Sequence, residues 1–318
     1  MSDGPAAGDA VDVVIVGAGA AGLSLAHRLP DTASVVLVDA PAGPLRPPER
    51  TWCFWEEGPG EYDDAVSASW DLLRVRGADG RPAQGSAAPL RYKMLRSRAF
   101  EALVAERLRG RPAFRRVEAA VDAVRDLPGG GAEARGVAGD GRRIALRARW
   151  VFDSRPPRRL PPARTTLFQH FRGWFLRAER AAFEPGVADL MDFRVRQPDR
   201  GLSFGYVLPF GPREALVEYT EFTPALLDRD GYERALRHYT RDVLDLGAVR
   251  VPAVEQGVIP MTDAAFPRRA GTSVFRIGTA GGATRPATGY TFAAVSLRRR
   301  RPRGYRFALG RPPSSHIR

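Results

Sequence analysis

Three closely spaced glycines near the start of the chain restrict the fold more than any other feature of the sequence. Gly17, Gly19 and Gly22 directly follow the β-branched run Val11–Val16 and open Ala20–Leu29, where small and apolar residues alternate as in a buried helix. The first glycine permits a tight turn, the second lets the main chain approach a diphosphate, and the third lets the helix pack closely on the strand. In this strand-to-helix context, the pattern predicts a dinucleotide-binding turn.

A second apolar strand follows the predicted helix at Val35–Val38, and Asp39 ends it. Strand, helix and strand in this order form a βαβ unit, which implies a parallel sheet at the start of the chain. An acid at the end of the second strand can accept hydrogen bonds from a ribose, so Asp39 favours an adenosine ribose without a 2′-phosphate. These residues alone do not distinguish NAD from FAD.

Two later segments favour FAD by resemblance. Val151–Asp153 resembles the strand end that many flavoproteins place near the nucleotide, and Phe275–Gly282 resembles their late glycine-rich flavin contact. The chain has only one glycine cradle of this kind, so a second bound nucleotide would need a different type of site. The residues that this resemblance assigns to FAD are Asp153, Gly278, Gly281 and Gly282.

Proline crowding at residues 155–162 predicts the main domain boundary. The preceding part contains a predicted helix at Ser97–Leu108, and residues 76–90 are expected to form a surface excursion. Beyond the boundary the pattern predicts four strands, at Phe168–Leu176, Leu190–Val195, Leu202–Leu208 and Ala215–Thr220. One helix, at Tyr232–Leu246, is predicted to follow them.

These segments predict an α/β fold with a Rossmann-type FAD-binding domain, built on a parallel sheet, and a substrate domain with a mostly antiparallel β-sheet. The FAD-binding domain is expected to span residues 1–165 and to resume at residues 257–297, with the substrate domain at residues 166–256. Residues 298–318 are expected to form a basic, disordered tail.

The formal charge of +13 does not by itself indicate a nucleic-acid site, because residues 298–318 contain eight arginines and no acid and contribute +8 of that charge. No zinc-finger, helix-turn-helix or RNA-binding signature accompanies the charge. We therefore expect a solvated basic surface, no nucleic-acid partner and no metal site. A basic surface can also rest on anionic lipid headgroups.

Localisation is predicted from features that the sequence lacks. The single cysteine, Cys53, cannot form an intrachain disulfide, and the N-terminus has no secretion signal. No apolar run approaches the roughly 18 to 20 residues that a membrane-spanning helix needs. A cytoplasmic protein is therefore expected.

The chain resembles the bacterial-type lycopene beta-cyclases in nine peptides that occur in order between Val11 and Ala294. They are R-T-W-C-F-W-E at Arg50–Glu56, Y-K-M-L-R-S at Tyr92–Ser97, F-D-S-R-P at Phe152–Pro156, F-Q-H-F-R-G-W at Phe168–Trp174, L-M-D-F-R-V at Leu190–Val195, Y-V-L-P-F at Tyr206–Phe210, L-V-E-Y-T at Leu216–Thr220, G-V-I-P-M-T-D at Gly257–Asp263 and G-T-A-G-G-A-T-R-P-A-T-G-Y at Gly278–Tyr290.

The resemblance implies a non-redox cyclase that binds reduced FAD, with NAD(P)H as external reductant. Such an enzyme converts the open ψ-ends of lycopene to β-ionone rings, by way of gamma-carotene to beta-carotene. Because lycopene and related carotenoids are apolar, the resemblance also implies peripheral association with the cytoplasmic membrane.

Cyclisation needs an acid that protonates a terminal alkene, a dry apolar tunnel, and negative charge that stabilises the carbocation. Glu218 in L-V-E-Y-T corresponds to the acidic residue of the family's catalytic motif, and the apolar Leu216 and Val217 precede it. Burial would raise its pKa and keep it protonated near neutral pH. Without the resemblance, the pattern favours an exposed acid. Glu221 has the opposite facing parity on the same strand and is a weaker candidate.

Aromatic faces can also oppose a cation, as can the anionic edge of reduced flavin. For each aromatic candidate, packing in the core is the alternative explanation. His170 is expected to be structural, because the sequence places no partner acid or nucleophile beside it. The residues predicted to line the substrate site are Trp52, Phe54, Trp55, Trp174 and Tyr206.

The resemblance ends after Ala294, which we interpret as a truncation or a shifted reading frame that could leave the chain inactive. Two other functions stay open on the sequence. One is another FAD-dependent oxidoreductase of the same fold, an isoprenoid reductase or a hydroxylase, since fold does not fix chemistry. The other is an inactive flavin-binding remnant.

Overall fold

The computed structural model of the protein describes residues 10–296. Within them lie three β-sheets, whose strands are β1 Val11–Val16, β2 Val35–Asp39, β3 Thr51–Glu57, β4 Val66–Trp70, β5 Leu72–Arg76, β6 Pro82–Ser86, β7 Leu90–Arg96, β8 Phe114–Asp126, β9 Ala132–Ala138, β10 Arg143–Asp153, β11 Thr166–Ala178, β12 Val187–Asp192, β13 Leu202–Pro209, β14 Glu214–Thr223, β15 Val249–Thr262 and β16 Val274–Arg276. The α-helices are α1 Ala20–Arg28, α2 Ser97–Leu108, α3 Arg229–His238 and α4 Phe292–Ser296.

The glycine turn belongs to a six-stranded sheet with a parallel centre. Its parallel strands lie in the order β8, β2, β1, β10 and β16, so the chain order reverses at β1. The far ends of β8 and β10 both pair with the antiparallel strand β9. In open sheets of this kind, ligands bind outside the carboxyl ends of the strands at the point of reversal. That point is where β1 leads into α1.

The second sheet has seven strands in the order β15, β11, β14, β13, β12, β5 and β6. All neighbouring pairs are antiparallel except β12 with β5. Helix α3 covers one face, where Tyr232 and Leu236 pack on Trp174 and Val217. Asp228 caps this helix by accepting a hydrogen bond from the Gly231 N–H at 2.7 Å.

A three-stranded sheet, in the order β3, β7 and β4, has one face toward each of the other two layers. Phe54 on β3 packs with residues of α1 and α2 beneath the six-stranded sheet. Cys53 and Trp55 point the other way, into a core that they share with Phe175 and Leu216 of the seven-stranded sheet. The alternation of side chains along β3 therefore joins the two larger layers.

The α/β fold, with a parallel-centred sheet and a mostly antiparallel one, is confirmed. Strands β5 and β6 lie within residues 1–165 yet pair into the seven-stranded sheet, because β5 runs alongside β12. The expected surface excursion at residues 76–90 thus contains an exposed hairpin strand. The division into domains stays a prediction, and the predicted tail at residues 298–318 lies outside the described residues.

Two predicted elements differ in position from the observed ones. The helix predicted at Tyr232–Leu246 begins three residues earlier, after the Asp228 cap, and its α-helical part ends at His238. A π-helical turn follows at Tyr239–Val243. The strand predicted at Leu190–Val195 lies at Val187–Asp192, where it pairs with β5.

Candidate functional site

The turn after β1 places the three early glycines at the N-terminus of α1. Gly17 has φ +99°, a left-handed conformation that favours glycine. A Cβ on Gly22 would lie 1.9 Å from the carbonyl oxygen of Gly17, so α1 can lie this close to the turn only without a side chain there. A Cβ on Gly19 would meet no protein atom within 4 Å. Gly19 therefore borders open space at the start of the helix.

The late glycine segment lies beside this helix start. Gly278 follows β16 with φ +63°, and a Cβ there would lie 3.0 Å from the Cβ of Ala21 in α1. A Cβ on Gly281 would lie 2.4 Å from the carbonyl oxygen of Arg276, and Gly282 has φ +73°. The structure thus brings the early and the late glycines together at one edge of the parallel sheet.

Asp39 and Asp153 end the two strands that flank β1, and arginines pair with both carboxylates. Asp39 accepts a short hydrogen bond from Arg116 and lies 3.4 Å from Nη2 of Arg46. Asp153 accepts hydrogen bonds from the Arg155 guanidinium at 2.9 Å and 2.8 Å. A ribose hydroxyl bound at Asp39 would therefore share that carboxylate with arginine side chains.

The glycine turn fits a bound dinucleotide by its shape and by its charge. The space beside Gly19 is free of protein atoms, and the first turn of α1 contains no acidic residue. The N–H groups of the first turn of a helix have no partners within the helix, so they attract a phosphate. This fit concerns the diphosphate and is the same for FAD and NAD.

Glu218 lies in a row of four residues that crosses the seven-stranded sheet. Strand register pairs Tyr206 of β13 with Glu218 of β14, Glu218 with Gly173 of β11, and Gly173 with Glu255 of β15. Directly paired residues place their side chains on the same face of a sheet. All four therefore belong to the face that packs toward the three-stranded sheet, and we call them the carboxyl row.

The surroundings of Glu218 favour the protonated acid. Its pKa is raised to about 8, mainly by burial and further by the charge of Glu255, against one hydrogen bond that favours the charged form. That bond is donated by Oγ1 of Thr220 to Oε1 of Glu218 at 2.7 Å. The other oxygen, Oε2, lies 3.6 Å from the point that a Cβ on Gly173 would occupy. Burial therefore favours the protonated carboxyl of Glu218 at neutral pH, with Oε2 lying near the Gly173 backbone.

Glu255 is a candidate that the sequence reasoning missed. Its carboxylate is buried and accepts hydrogen bonds from the Thr51 N–H at 2.7 Å and from the Thr51 hydroxyl at 2.6 Å. Burial raises the pKa of Glu255, while Thr51 and two nearby arginines act to lower it. The sequence shows this residue in V-E-Q-G, but its position beside Gly173 depends on the pairing of two strands that are distant in sequence.

Two of the five predicted lining residues, Trp55 and Tyr206, lie on the side of the carboxyl row. Trp55 packs on Tyr92 with ring centroids 4.8 Å apart. The Tyr290 hydroxyl donates to the Tyr92 hydroxyl at 3.2 Å. Burial raises the pKa of Tyr206 well above its ordinary value, and both Tyr290 and Glu218 lie close enough to raise it further. Together Trp55, Tyr92, Tyr206 and Tyr290 form an aromatic wall beside Glu218.

The other three predicted lining residues do not share the side of the carboxyl row. Trp52 and Phe54 point to the opposite side of β3, where they pack on Phe292 with ring centroids 5.4 Å and 4.8 Å away. Trp174 follows Gly173 on β11, so its side chain lies on the opposite face of the sheet, in the core beneath α3. The physical reason is the alternation of side chains along a strand, which places neighbours on opposite faces.

Glu221 and His170 also lie on the α3 face, opposite Glu218. The His170 ring nitrogens lie 2.7 Å from the Tyr232 hydroxyl and 2.7 Å from the Thr223 hydroxyl. A carboxylate oxygen of Glu221 lies 3.6 Å from His170 Nε2. Burial lowers the pKa of His170, which favours the neutral ring. This buried network links α3 to the sheet and does not contact the carboxyl row.

A separate cavity of about 320 Å³ lies on the α3 side of the seven-stranded sheet and has a charged lining. Arg74 forms a paired contact with Asp189 at 2.5 Å and 2.8 Å, and Arg194 is paired with Asp192. No residue of the carboxyl row lines this cavity. Its paired charges do not suit a long apolar hydrocarbon.

Comparison of the sequence with protein families gives one match. A family model described as lycopene cyclase protein matches residues 12–301. The matched range includes the glycine turn, the carboxyl row and the late glycine segment. No curated protein matches the chain.

Solved structures with similar folds include a reductase-like protein and two monooxygenases. A geranylgeranyl bacteriochlorophyll reductase-like protein from Thermoplasma acidophilum gives a TM-score of 0.71 at 13% identity, over 91% of this chain and 75% of that one. p-Nitrophenol 4-monooxygenase PnpA from Pseudomonas putida gives a TM-score of 0.64 at 17% identity, over 90% of this chain and 76% of that one. The flavin-dependent monooxygenase PieE, solved with FAD and substrate, gives a TM-score of 0.65 at 18% identity, over 91% of this chain and 56% of that one. At these identities the likeness shows the fold.

Within residues 10–296, none of the helices has the length and hydrophobicity that crossing a bilayer requires.

Proposed function

Because the chain belongs to the lycopene cyclase family, we propose that it is a lycopene beta-cyclase, which closes the open ψ-ends of lycopene into β-ionone rings. The reaction proceeds by way of gamma-carotene to beta-carotene. Each ring closure adds one proton to a terminal alkene and releases another from a ring carbon, so the product is an isomer of the substrate. No net oxidation or reduction takes place.

The position of Glu218 carries this proposal, because its carboxyl lies beside Tyr206 and Gly173 on the face that packs toward the three-stranded sheet, where burial raises its pKa. Thr220 donates its hydroxyl to Oε1 of Glu218, which leaves Oε2, on the side of Gly173, to carry the acid proton. In the first step the Oε2–H bond breaks and a C–H bond forms on the substrate, so Glu218 becomes a carboxylate and the substrate a carbocation. A pKa of about 8 suits an acid that must be protonated at neutral pH and still release its proton.

The aromatic wall supports the same chemistry. Trp55, Tyr92, Tyr206 and Tyr290 cover the region around the carboxyl row with ring surface. Aromatic faces carry partial negative charge and attract cations, and they also exclude water that would trap a carbocation. We propose that this wall lies against the polyene end during ring closure.

We also propose FAD as the cofactor, in its reduced form, with NAD(P)H as the external reductant. The fit of the glycine turn to a diphosphate supports a dinucleotide, and a fold neighbour that was solved with FAD supports this one. When bound, reduced FAD supplies negative charge that opposes the substrate cation. The residues that would hold it are Gly17, Gly19, Gly22, Asp39, Asp153, Gly278, Gly281 and Gly282.

Peripheral association with the cytoplasmic membrane is a further part of the proposal. Its support is the apolar character of the carotenoid substrate, which partitions into lipid. The measurement is flotation of the purified chain with anionic and with neutral lipid vesicles. Recovery of the chain in the soluble fraction with both kinds of vesicle would contradict this part alone.

Incubation of the full chain with lycopene and reduced FAD in deuterated water tests the reaction. We expect beta-carotene with one deuterium for each ring formed, because the acid proton exchanges with solvent. A reductase or hydroxylase would instead consume NAD(P)H in proportion to product. A protein that binds FAD but leaves lycopene unchanged would fit the inactive remnant.

Replacing Glu218 with Gln tests the acid. We expect Glu218→Gln to slow cyclisation by roughly 10²- to 10⁴-fold, the usual contribution of a general acid, while FAD still binds. The matched control is Glu214→Gln, an exposed acid on the same strand, which should cyclise at the wild-type rate. Cyclisation by folded, flavin-loaded Glu218→Gln at the wild-type rate would exclude Glu218 as the acid.

A further inference from the structure

One end of the seven-stranded sheet gathers arginines around a surface cavity. At this end β11 ends, and its neighbours β14 and β15 begin. The cavity has a volume of about 320 Å³, and Arg177, Arg213 and Arg250 line it together with a single acid, Glu179. We call the three arginines the arginine rim. Because its lining holds more positive than negative charge, the cavity suits an anion such as a phosphate group.

The charge of the arginine rim is poorly compensated within the folded chain. Arg177 pairs directly with Arg250 across β11 and β15, and like charges opposite each other on neighbouring strands repel. Within residues 10–296, Arg177 has one ion-pair partner, Glu214 at 3.8 Å, and the guanidinium groups of Arg213 and Arg250 have none. An anion bound at the rim would relieve this repulsion.

Exposed apolar side chains lie at the same end of the sheet. Phe210, in the turn between β13 and β14, is 40% exposed, and Leu72 and Leu90, which begin β5 and β7, are 38% and 40% exposed. The Trp70 indole donates to the carbonyl of the residue before Phe210 at 3.0 Å. Backbone hydrogen bonds through Ala87 link Leu90 to the residue before Leu72. The three exposed side chains therefore belong to one region.

Apolar contacts connect this region with the carboxyl row. The ring centroids of Phe210 and Phe175 lie 6.4 Å apart. Phe175 lies two residues from Gly173 on β11, on the same face, and packs with Leu216 in the core that also contains Tyr206. The face that bears the carboxyl row therefore reaches the surface at Phe210.

We propose that this end of the sheet docks on an anionic phospholipid membrane, with lipid phosphates at the arginine rim and with Phe210, Leu72 and Leu90 against the acyl chains. This inference rests on the membrane association in the proposed function and names its surface. A site for a soluble phosphate compound would explain the arginines but not the exposed apolar side chains beside them, whereas a phospholipid combines both chemistries. Docking in this orientation brings the apolar core behind Phe210 to the bilayer that holds the carotenoid.

Flotation of the full chain with lipid vesicles tests this surface without any catalytic turnover. We expect binding to vesicles that contain phosphatidylglycerol, weaker binding to vesicles of phosphatidylcholine alone, and release at high salt. An arginine near an anionic surface strengthens binding roughly fivefold. The double variant with Arg213→Gln and Arg250→Gln should therefore bind phosphatidylglycerol vesicles roughly 25-fold more weakly than the wild type.

A matched control removes the same charge elsewhere. Arg81 and Arg142 lie in the turns after β5 and after β9, and their side chains are 90% and 70% exposed. The double variant with Arg81→Gln and Arg142→Gln should bind like the wild type. A loss of vesicle binding as large as that of the rim variant would show that net charge alone attracts the chain, and would overturn the proposal.

The apolar part of the surface has its own pair of variants. Phe210→Ser should weaken binding to phosphatidylglycerol vesicles roughly tenfold, because a partly exposed aromatic ring no longer leaves water. Leu226→Ser is the control, since Leu226 is 51% exposed and follows β14 at the opposite end of the sheet. It should bind like the wild type.

The remaining outcomes separate this surface from the proposed function. Wild-type vesicle binding by the rim variant and by Phe210→Ser would overturn the surface and leave membrane association intact. Binding of inorganic phosphate that depends on the rim, without flotation on either kind of vesicle, would identify a site for a soluble anion and would also overturn it. Absence of cyclisation would contradict the cyclase alone, because flotation uses no lycopene.

Discussion

At the scale of single residues, the glycines of the turn serve different physical purposes. Gly17 supplies a backbone conformation, Gly22 allows contact between helix and turn, and Gly19 leaves space. The first two are required by the folded chain itself. Gly19 is needed only if a ligand occupies the space beside it. A substitution at Gly19 therefore tests binding without affecting folding.

Alanine at Gly19 and at Gly22 should therefore have different effects. Gly19→Ala meets no protein atom within 4 Å, so we expect wild-type stability with weaker FAD binding. Gly22→Ala would place a methyl group 1.9 Å from the Gly17 carbonyl oxygen, so we expect loss of stability as well. Thermal unfolding and flavin fluorescence titration measure the two effects. FAD binding by Gly19→Ala as tight as in the wild type would argue against a diphosphate at this turn.

How far the sequence could identify the site differs from residue to residue. The glycine pattern is local and was sufficient to place the turn, and Glu218 was identified through a motif. Glu255 was not, because its partner Gly173 lies on a strand far away in sequence. Trp174 was assigned to the substrate site because aromatic character is visible in a sequence, whereas the face on which it lies depends on strand register.

At the scale of elements, β11 and β14 each serve two faces. On β14, Glu218 and Thr220 lie on the face that bears the carboxyl row, while Val217 and Tyr219 pack beneath α3. Gly173 on β11 has no side chain, which lets Leu216 and Glu218 lie close to its backbone. Three of the four predicted strands of this sheet were nearly right in extent, and the one predicted at Leu190–Val195 lies three residues earlier. The inclusion of β5 and β6 could not be foreseen, since β5 pairs with a strand that follows it by more than a hundred residues.

A side chain at Gly173 should affect catalysis more than stability. In Gly173→Ala the new Cβ would lie 2.8 Å from the end of the Leu216 side chain, which can move, and 3.6 Å from Oε2 of Glu218. We expect a stability loss of about 1 kcal/mol, at the low end for overpacking, and a loss of cyclisation of at least roughly tenfold. Urea unfolding and product analysis check the two. A stable variant with full activity would show that catalysis does not depend on the space beside Oε2 of Glu218.

At the scale of the whole molecule, Glu218 makes stability depend on pH. A carboxyl whose pKa is raised in the folded state contributes stability below its unfolded pKa and loses it as the pH rises through the folded pKa. For Glu218 the window runs from 4.5 to about 8. Keeping an acid ready for proton transfer therefore lowers the stability of the whole chain at alkaline pH.

Comparison of the wild type with Glu218→Gln measures this effect. A pKa difference of one corresponds to about 1.4 kcal/mol of unfolding free energy. The partial exposure of Glu218 reduces this effect. We therefore expect the unfolding free energy of Glu218→Gln to increase by on the order of 3 kcal/mol relative to that of the wild type between pH 5 and pH 9. Glu214→Gln should show no such gain. Chemical unfolding at several pH values provides the measurement, and parallel curves for wild type and Glu218→Gln would contradict the raised pKa.

The alternation along β14 has a consequence for how such a chain can diversify. Because one set of its side chains lies on the face that bears Glu218 and the other set holds α3 in place, changes at the first set can alter ring specificity or rate while the fold persists. Mutations at the second set affect folding before they can affect activity. A library randomised at positions 216, 218, 220 and 222 should therefore yield more soluble members than one randomised at positions 215, 217, 219 and 221, and the new products should come mainly from the former.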